Sequence, residues 1–215
     1  MYNWSEPLPK HTKVDYYECY SKIVLEELYP NEFDNLEIAD KPDLQSIDGN
    51  YGVEVTIAID KDQLKAESLY TDISYKRSHN VEKASEEIVK CGYKLEGGIL
   101  SGKPGTDSFD LILEAFDNKL NKLNGNNYRI LKQNYLFIFS NIYAVEKMIM
   151  NAIKDMQQRQ LSKVRQFYKV YVLVPGCCYS LNLDAGSYEI YQIKSELQAL
   201  QANKARELVE ICGNN

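Results

Sequence analysis

YLFIFS, residues 135–140, constrains this chain more than any other stretch. The run is short, mostly apolar and shows no alternation, which fits a central strand with both faces covered. A second run, FYKVYVLVPG (167–176), is rich in Val and Tyr and is stopped by Pro-Gly, so it too reads as a strand. Residues 143–163 between them read as a helix. YEIYQI (188–193) reads as a strand near the second run, and the tail from about 194 to 211 as a helix. Strands and helices in this order make an α/β domain with a mixed sheet.

The first half adds a helix and a hairpin. In KVDYYECYSKIVLEELY (13–29), Val14, Tyr17, Ser21, Val24 and Leu28 fall on one stripe at helical spacing, and Pro30 and Asn31 stop it. Residues 43–47 and 51–59 read as two strands around a turn. Residues 61–90 are charged and tyrosine-bearing, and read as two helices broken near 78–80. Cys91–Gly105 holds five glycines and a proline, the mark of a loop or irregular hairpin. Residues 107–123 predict a helix with Phe109, Ile112, Leu113, Phe116, Leu120 and Leu123 inward, ended by Asn124, Gly125 and Asn126.

Bulk properties narrow the function classes. With 215 residues, 44% of them hydrophobic and 26% charged, the chain is long enough for one large domain with its own core. No apolar run approaches the roughly 18 residues of a membrane span. MYNWSEPLPK lacks the basic and apolar regions of a signal peptide, so a cytoplasmic location is the expectation. Five cysteines (Cys19, Cys91, Cys177, Cys178, Cys212) form no CxxC, and His11 and His79 stand near no cysteine pair. A zinc site is therefore not expected, and the thiols read as core filler. A net charge of −6 argues against coating nucleic acid through bulk charge. Basic clusters still occur at Lys76, Arg77 and His79, at Lys119 and Lys122, at Arg129 and Lys132, and at Arg159, Lys163 and Arg165. The plain reading of each is a solvated surface.

The chemistry concentrates in KPDLQSIDGNYGVEVTIA (41–58). Asp48-Gly49 is a type I′ turn signal. A turn there pairs Ile47 with Asn50 and, counting outward, sets Asp43 opposite Glu54. Side chains opposite each other share a face, with Cβ atoms roughly 4.5–5.5 Å apart. Two carboxylates that close repel unless a cation offsets them. Alternation turns Val53, Val55 and Ile57 towards the packed face and Gly52, Glu54, Thr56 and Ala58 towards the other, where the small residues leave room for a substrate. Hard oxygen donors select Mg²⁺ or Mn²⁺.

Pro42-Asp43 followed by Glu54-Val55-Thr56, after a helix and around a turn, resembles the PD-(D/E)XK nuclease superfamily, the restriction-endonuclease-like fold. The likeness spans roughly residues 13–140. It implies an αβββαβ core with a mixed central sheet, a helical insertion at about 60–106 and extra C-terminal helices, all within a single domain. It also implies that Asp43, Glu54 and the Val55 carbonyl hold the metal, Mg²⁺ or Mn²⁺, and that a glutamate of the first helix completes the site. At about 100° per residue, Glu18 lies at the edge of the apolar stripe, Glu26 opposite it and Glu27 further out than Glu18, so Glu18 is the choice. Thr56 stands where the family has a lysine and carries no positive charge. Migration of that lysine to the next core helix is known in the family, which favours Lys119 over Lys122, the latter pointing more towards solvent. Lys41, opposite Thr56 if pairing passes Pro42, ranks second. The expected function is metal-dependent hydrolysis of phosphodiester bonds in nucleic acid, DNA first, in a defence, mobile-element or repair setting, with a homodimer expected by resemblance. The alternative is a catalytically inactive nuclease-like fold acting as a binding module. No GxxxxGK[ST], GxSxG or HExxH motif occurs.

Overall fold

The computed structural model describes residue 8 and residues 12–102, 108–126, 128–129 and 131–213. The chain divides into two compact units, one containing Ile59–Thr106 and the other His11–Ala58 with Asp107–Asn215. The elements in chain order are α1 (Tyr16–Leu28), β1 (Leu36–Ile38), β2 (Leu44–Ser46), β3 (Tyr51–Ala58), α2 (Lys61–Ser74), α3 (Val81–Lys90), β4 (Lys94–Glu96), β5 (Ile99–Ser101), α4 (Asp110–Leu123), β6 (Gln133–Ser140), α5 (Glu146–Gln160), β7 (Phe167–Val174), β8 (Cys177–Asn182), β9 (Ser187–Gln192) and α6 (Ser195–Gly213).

The larger unit is an α/β layer structure on one mixed sheet of order β1-β2-β3-β6-β7-β8-β9. β3, β6 and β7 are parallel; the pairs flanking them on either side are antiparallel. Parallel strands need covered faces. The row of Leu136, Ile138, Val170 and Val172 packs with α4 and α5, through Ile112, Phe116, Leu120, Ile149 and Ile153. The opposite row is aromatic: Phe139 meets Tyr17 and Tyr20 of α1. Helix α6 lies with α1, where Tyr16 and Tyr20 donate to the Ala202 and Gln198 carbonyls and Glu27 accepts from Gln201 and Lys204.

In the smaller unit, α2 and α3 bury Ala66, Ile88, Cys91 and Tyr93. Tyr70 packs on that cluster and donates to the Gly98 carbonyl at 3.0 Å, tying α2 to the β4–β5 hairpin. The break between the two helices falls where the sequence places it, with Asn80 capping α3.

Two strands depart from the sequence reading. β1 is three residues long and carries no periodic signal. Pro175-Gly176 does not stop the sheet but turns it: Val174 pairs with Cys177, and Gly176 adopts φ 87° after proline, as a type II turn requires. β8 thereby separates β7 from β9. All five cysteines are free thiols and four are buried. Among the described residues no helix is long and apolar enough to cross a membrane. His11, the ten N-terminal residues apart from Leu8, and residues 103–107, where the glycine-rich loop ends and the next helix is expected to begin, lie outside the described residues.

Candidate active site

The β2–β3 hairpin keeps the expected register with a different turn. Leu44 pairs with Val53 and Gln45 with Gly52. The loop spans residues 47–50, closed by the Gly49 N–H on the Ser46 carbonyl at 2.9 Å. Asp48 accepts from the Asn50 N–H at 3.0 Å and from the Ser46 hydroxyl at 2.7 Å. Only Gly49 of the Asp48-Gly49 pair has positive φ, whereas a type I′ turn needs both. A four-residue loop centred on the same point preserves the pairing, so Asp43 still projects beside Glu54.

Asp43 is set by its loop. The Ala39 N–H donates to the Asp43 carbonyl at 2.9 Å, and the intervening loop contains Lys41 at φ 57° and a cis Lys41–Pro42 peptide. Gly52 lies beneath Pro42: a Cβ there would meet Pro42 Cγ at 2.2 Å and Leu131 Cδ1 at 2.6 Å. This glycine therefore makes room for the proline that precedes Asp43, not for a substrate.

Both acids are buried, Glu54 to 1% exposure and Asp43 to 8%. Burying two carboxylates side by side requires compensating charge. Lys119 of α4 supplies it, donating to Asp43 Oδ2 at 2.9 Å and to Glu54 Oε2 in a shorter contact. Lys122, one turn on, reaches Glu54 Oε2 at 3.2 Å and Asp43 Oδ1 at 3.8 Å. The i, i+3 spacing puts both ammonium groups on one helix face, so Lys122 turns inward at its tip although its side chain remains 40% exposed. Burial works against its charge, yet the Glu54 and Asp43 carboxylates prevail and its pKa rises. Lys41 is elsewhere, paired with Asp40 at 3.0 Å.

Glu54 has a further partner that sequence reasoning missed. Buried Tyr128, from the α4–β6 connection, donates its hydroxyl to Glu54 Oε1 at 2.6 Å. Burial, and then the neighbouring Glu54 charge, push the Tyr128 pKa up, so it stays a donor. The face carrying Glu54 is thus closed by α4 and Tyr128, and the small residues around it do not leave the expected room for a substrate there; Ala58 belongs to the core beneath α4 and α5.

The opening is at the strand edge. β2 pairs with β3 only as far as Val53. Beyond it, the Val55 N–H donates to Asp43 Oδ2 at 2.7 Å. In a strand the N–H and C=O of one residue share a side, so the Val55 carbonyl faces the same unpaired edge. A cavity of about 430 Å³ lies there, lined by Asp15, Tyr17 and Glu18 of the α1 end, Asp43, Val55–Ile57 and Lys119. Its position beyond the end of β2 lets α1 and α4, on opposite faces of the sheet, both reach it. Asp15 caps α1, accepting from the Tyr17 and Glu18 N–H groups. Burial, and then the Asp43 and Asp15 charges, raise the Glu18 pKa to about 7. Glu26 and Glu27 are engaged elsewhere, with Lys22 and the Leu36 N–H and with Gln201 and Lys204 respectively. Glu18, Asp43, Val55 and Lys119 therefore border one cavity, and Glu54 meets them through Lys119.

Among the described residues no group of three or more His, Cys, Asp or Glu side chains is placed to hold a metal ion. The oxygen donors in and beside the cavity are the Asp43 and Glu18 carboxylates and the free-edge Val55 carbonyl, with buried Glu54 joined to Asp43 behind Lys119. In kind they suit Mg²⁺, which is commonly held through one or two carboxylates and retains several waters. Comparison with protein-family models, with curated proteins and with solved structures gives no match for this chain.

Proposed function

We propose that this chain is a metal-dependent nuclease on a restriction-endonuclease-like core, hydrolysing phosphodiester bonds with DNA as the first substrate to test. One observation carries the reading: the two acids, set opposite each other by the hairpin and both buried, share a lysine from the following core helix that lines a cavity. The element order α1-β1-β2-β3-α4-β6, with Ile59–Thr106 as an inserted unit, agrees with an αβββαβ core.

Asp43, Glu54 and the Val55 carbonyl would hold Mg²⁺ or Mn²⁺, with Glu18 bordering the same space. When bound, the ion would supply Lewis-acid activation of water and neutralise phosphate charge. Tyr128 fixes one oxygen of Glu54 and leaves the other to Lys119 and Lys122. Lys119, in the cavity wall, would stabilise negative charge on the reacting phosphate. It thereby takes the place that Thr56 cannot fill.

The test is cleavage of plasmid, single-stranded DNA and RNA with Mg²⁺ or Mn²⁺ and with chelator, beside Asp43→Asn and Glu54→Gln. Metal-dependent cleavage reduced on the order of 10²–10³-fold in both variants is expected, the scale of losing an electrostatic group at a reacting centre. Cleavage unaffected by either substitution rejects the assignment. A second reading, an inactive nuclease-like binding module, draws on the same contacts: Lys119 and Lys122 already balance Asp43 and Glu54 in charge. Calorimetric titration with Mn²⁺ separates the two, since the module has no use for the ion.

A further inference from the structure

Many cations beyond the acid pair are tied to acids. Lys22, Lys65, Lys90, Arg159, Lys169, Lys204 and Arg206 each meet a carboxylate. Arg129, Arg165 and Lys163 are held by neutral acceptors near the acid pair, Arg165 and Lys163 against the carboxyl end of α4 and Arg129 against β2. Arg129, next to Tyr128, donates to the Gln45 side-chain oxygen above the β2–β3 hairpin. Arg165, on the α5–β7 connection, donates to the Leu123 carbonyl at 2.6 Å, and its charge is felt by Tyr128. Lys163 on the same connection donates to Asn121 Oδ1 at 3.2 Å.

Arg165 has an ordinary explanation, since cations favour helix C-termini. Arg129 and Lys163 do not: a side-chain amide oxygen orients a cation without cancelling its charge. Arg129 adjoins Tyr128, which binds Glu54, and Lys163 is bonded to Asn121 of the helix that carries Lys119 and Lys122, so uncancelled positive charge stands near the acid pair. The same connection projects Leu161 and Val164, 72% and 95% exposed, between Arg159, Lys163 and Arg165. Apolar side chains among cations suit a partner with both anionic and apolar surfaces, such as a phosphate backbone with its sugars and bases.

We propose that Arg129, Arg165 and Lys163 form the track along which a nucleic-acid backbone lies across the mouth of the acid site. The inference rests on the nuclease reading for its purpose, but not for its measurement, because binding is scored without metal. The overall charge of −6 makes the track local, not a property of the whole surface.

The full-length chain is titrated, in chelator, into labelled single-stranded DNA, duplex DNA and RNA between about 50 and 200 mM salt. Arg129→Glu/Lys163→Glu is expected to weaken binding at least tenfold and to flatten the salt dependence by about 2 on the log–log slope, near 0.9 for each lost phosphate contact on a duplex. Lys194→Glu/Lys204→Glu changes the total charge equally, elsewhere on the molecule, and is expected to bind as the parent does. Arg165→Gln, which keeps a donor for the Leu123 carbonyl, is expected to lower affinity without unfolding. Equal losses in the two double variants, no binding by the parent, or equally strong competition by an acidic peptide would overturn the track. Binding that depends on the track without any cleavage would retain it while rejecting the nuclease reading; cleavage that survives the double variant would do the reverse.

Discussion

Two carboxylate clusters in the larger unit use the same parts to different ends. At Glu32, Lys169 donates to both carboxylate oxygens at 2.8 Å, and the Tyr171 hydroxyl adds a bond to Oε2 at 2.8 Å. One acid meets one ammonium, and aromatic rings of Tyr29, Phe33 and Tyr135 surround Tyr171. At Asp43 and Glu54, a lysine and a tyrosine again donate, but to two acids. Balance there needs a second lysine that is 40% exposed, and the cluster opens on a cavity and an unpaired strand edge. A buried ion pair is weak support for stability, and a protein gains little by doubling it. The economical cluster reads as structure and the overbuilt one as a site.

Lysine removal tests that contrast most severely. Lys119→Met leaves two buried carboxylates with only the part-exposed Lys122 between them, one charge short, and is expected to cost about 3–5 kcal/mol, the scale of an uncompensated buried charge. Lys169→Met should cost less, since Glu32 is more exposed and has no second acid beside it. Urea denaturation measures both. Added Mg²⁺ is expected to recover part of the loss in Lys119→Met and none in Lys169→Met; no recovery in either would make the two clusters equivalent.

Tyrosine removal comes next. Tyr128→Phe deprives buried Glu54 Oε1 of its donor, at about 1–3 kcal/mol, and is expected to weaken Mn²⁺ affinity on the order of 10–100-fold. Tyr171→Phe leaves Glu32 with Lys169 and should leave metal affinity unchanged. Gly52→Ala forces a Cβ against Pro42 and Leu131, so about 1–3 kcal/mol of overpacking is expected. Because Pro42 adjoins Asp43, Mn²⁺ affinity should fall as well. Unaltered metal binding in a destabilised Gly52→Ala would detach the loop from the site.

The smallest effect is a pH dependence. Glu18 binds its proton more tightly in the folded protein, with a pKa of about 7, than in the unfolded chain. Its contribution is fully present below about pH 4.5 and is lost as pH rises through about 7. Glu18→Gln lacks this loss, so its stability relative to the parent should rise between pH 5 and pH 8 and then level off. Solvent screening of a partly exposed group limits the gain to on the order of 1 kcal/mol. A gain that does not change with pH would mean that folding does not raise the Glu18 pKa.

The hairpin shows how far pattern alone reaches. Asp48-Gly49 marked the centre of the bend, and register depends on the centre, so the pairing survives an altered loop. Helical spacing likewise located Glu18 and Lys119 at the margins of apolar stripes. Face exposure was misjudged because alternation along β3 separates its two sides without saying what covers each; α4 and Tyr128 cover the Glu54 side. Lys122 was placed outward because a helical wheel locates the Cα direction and not the tip of a four-carbon chain. Tyr128 had no signal: a tyrosine in a connection, one of seventeen in the chain, becomes a Glu54 ligand only through folding. β1 and β8 were missed because three residues hold too little period and because Pro-Gly reads equally as a stop or a turn.

By itself, then, the sequence determined the alternation of strands and helices, the hairpin register and the placing of Asp43 beside Glu54, because each follows from spacing along a few neighbouring residues. Only tertiary structure decided which groups neutralise those acids, which oxygen Tyr128 takes and where the cavity opens. These depend on contacts between residues 54, 119 and 128, whose meeting is fixed by how α4 and its following loop settle on the sheet, and no local period encodes that.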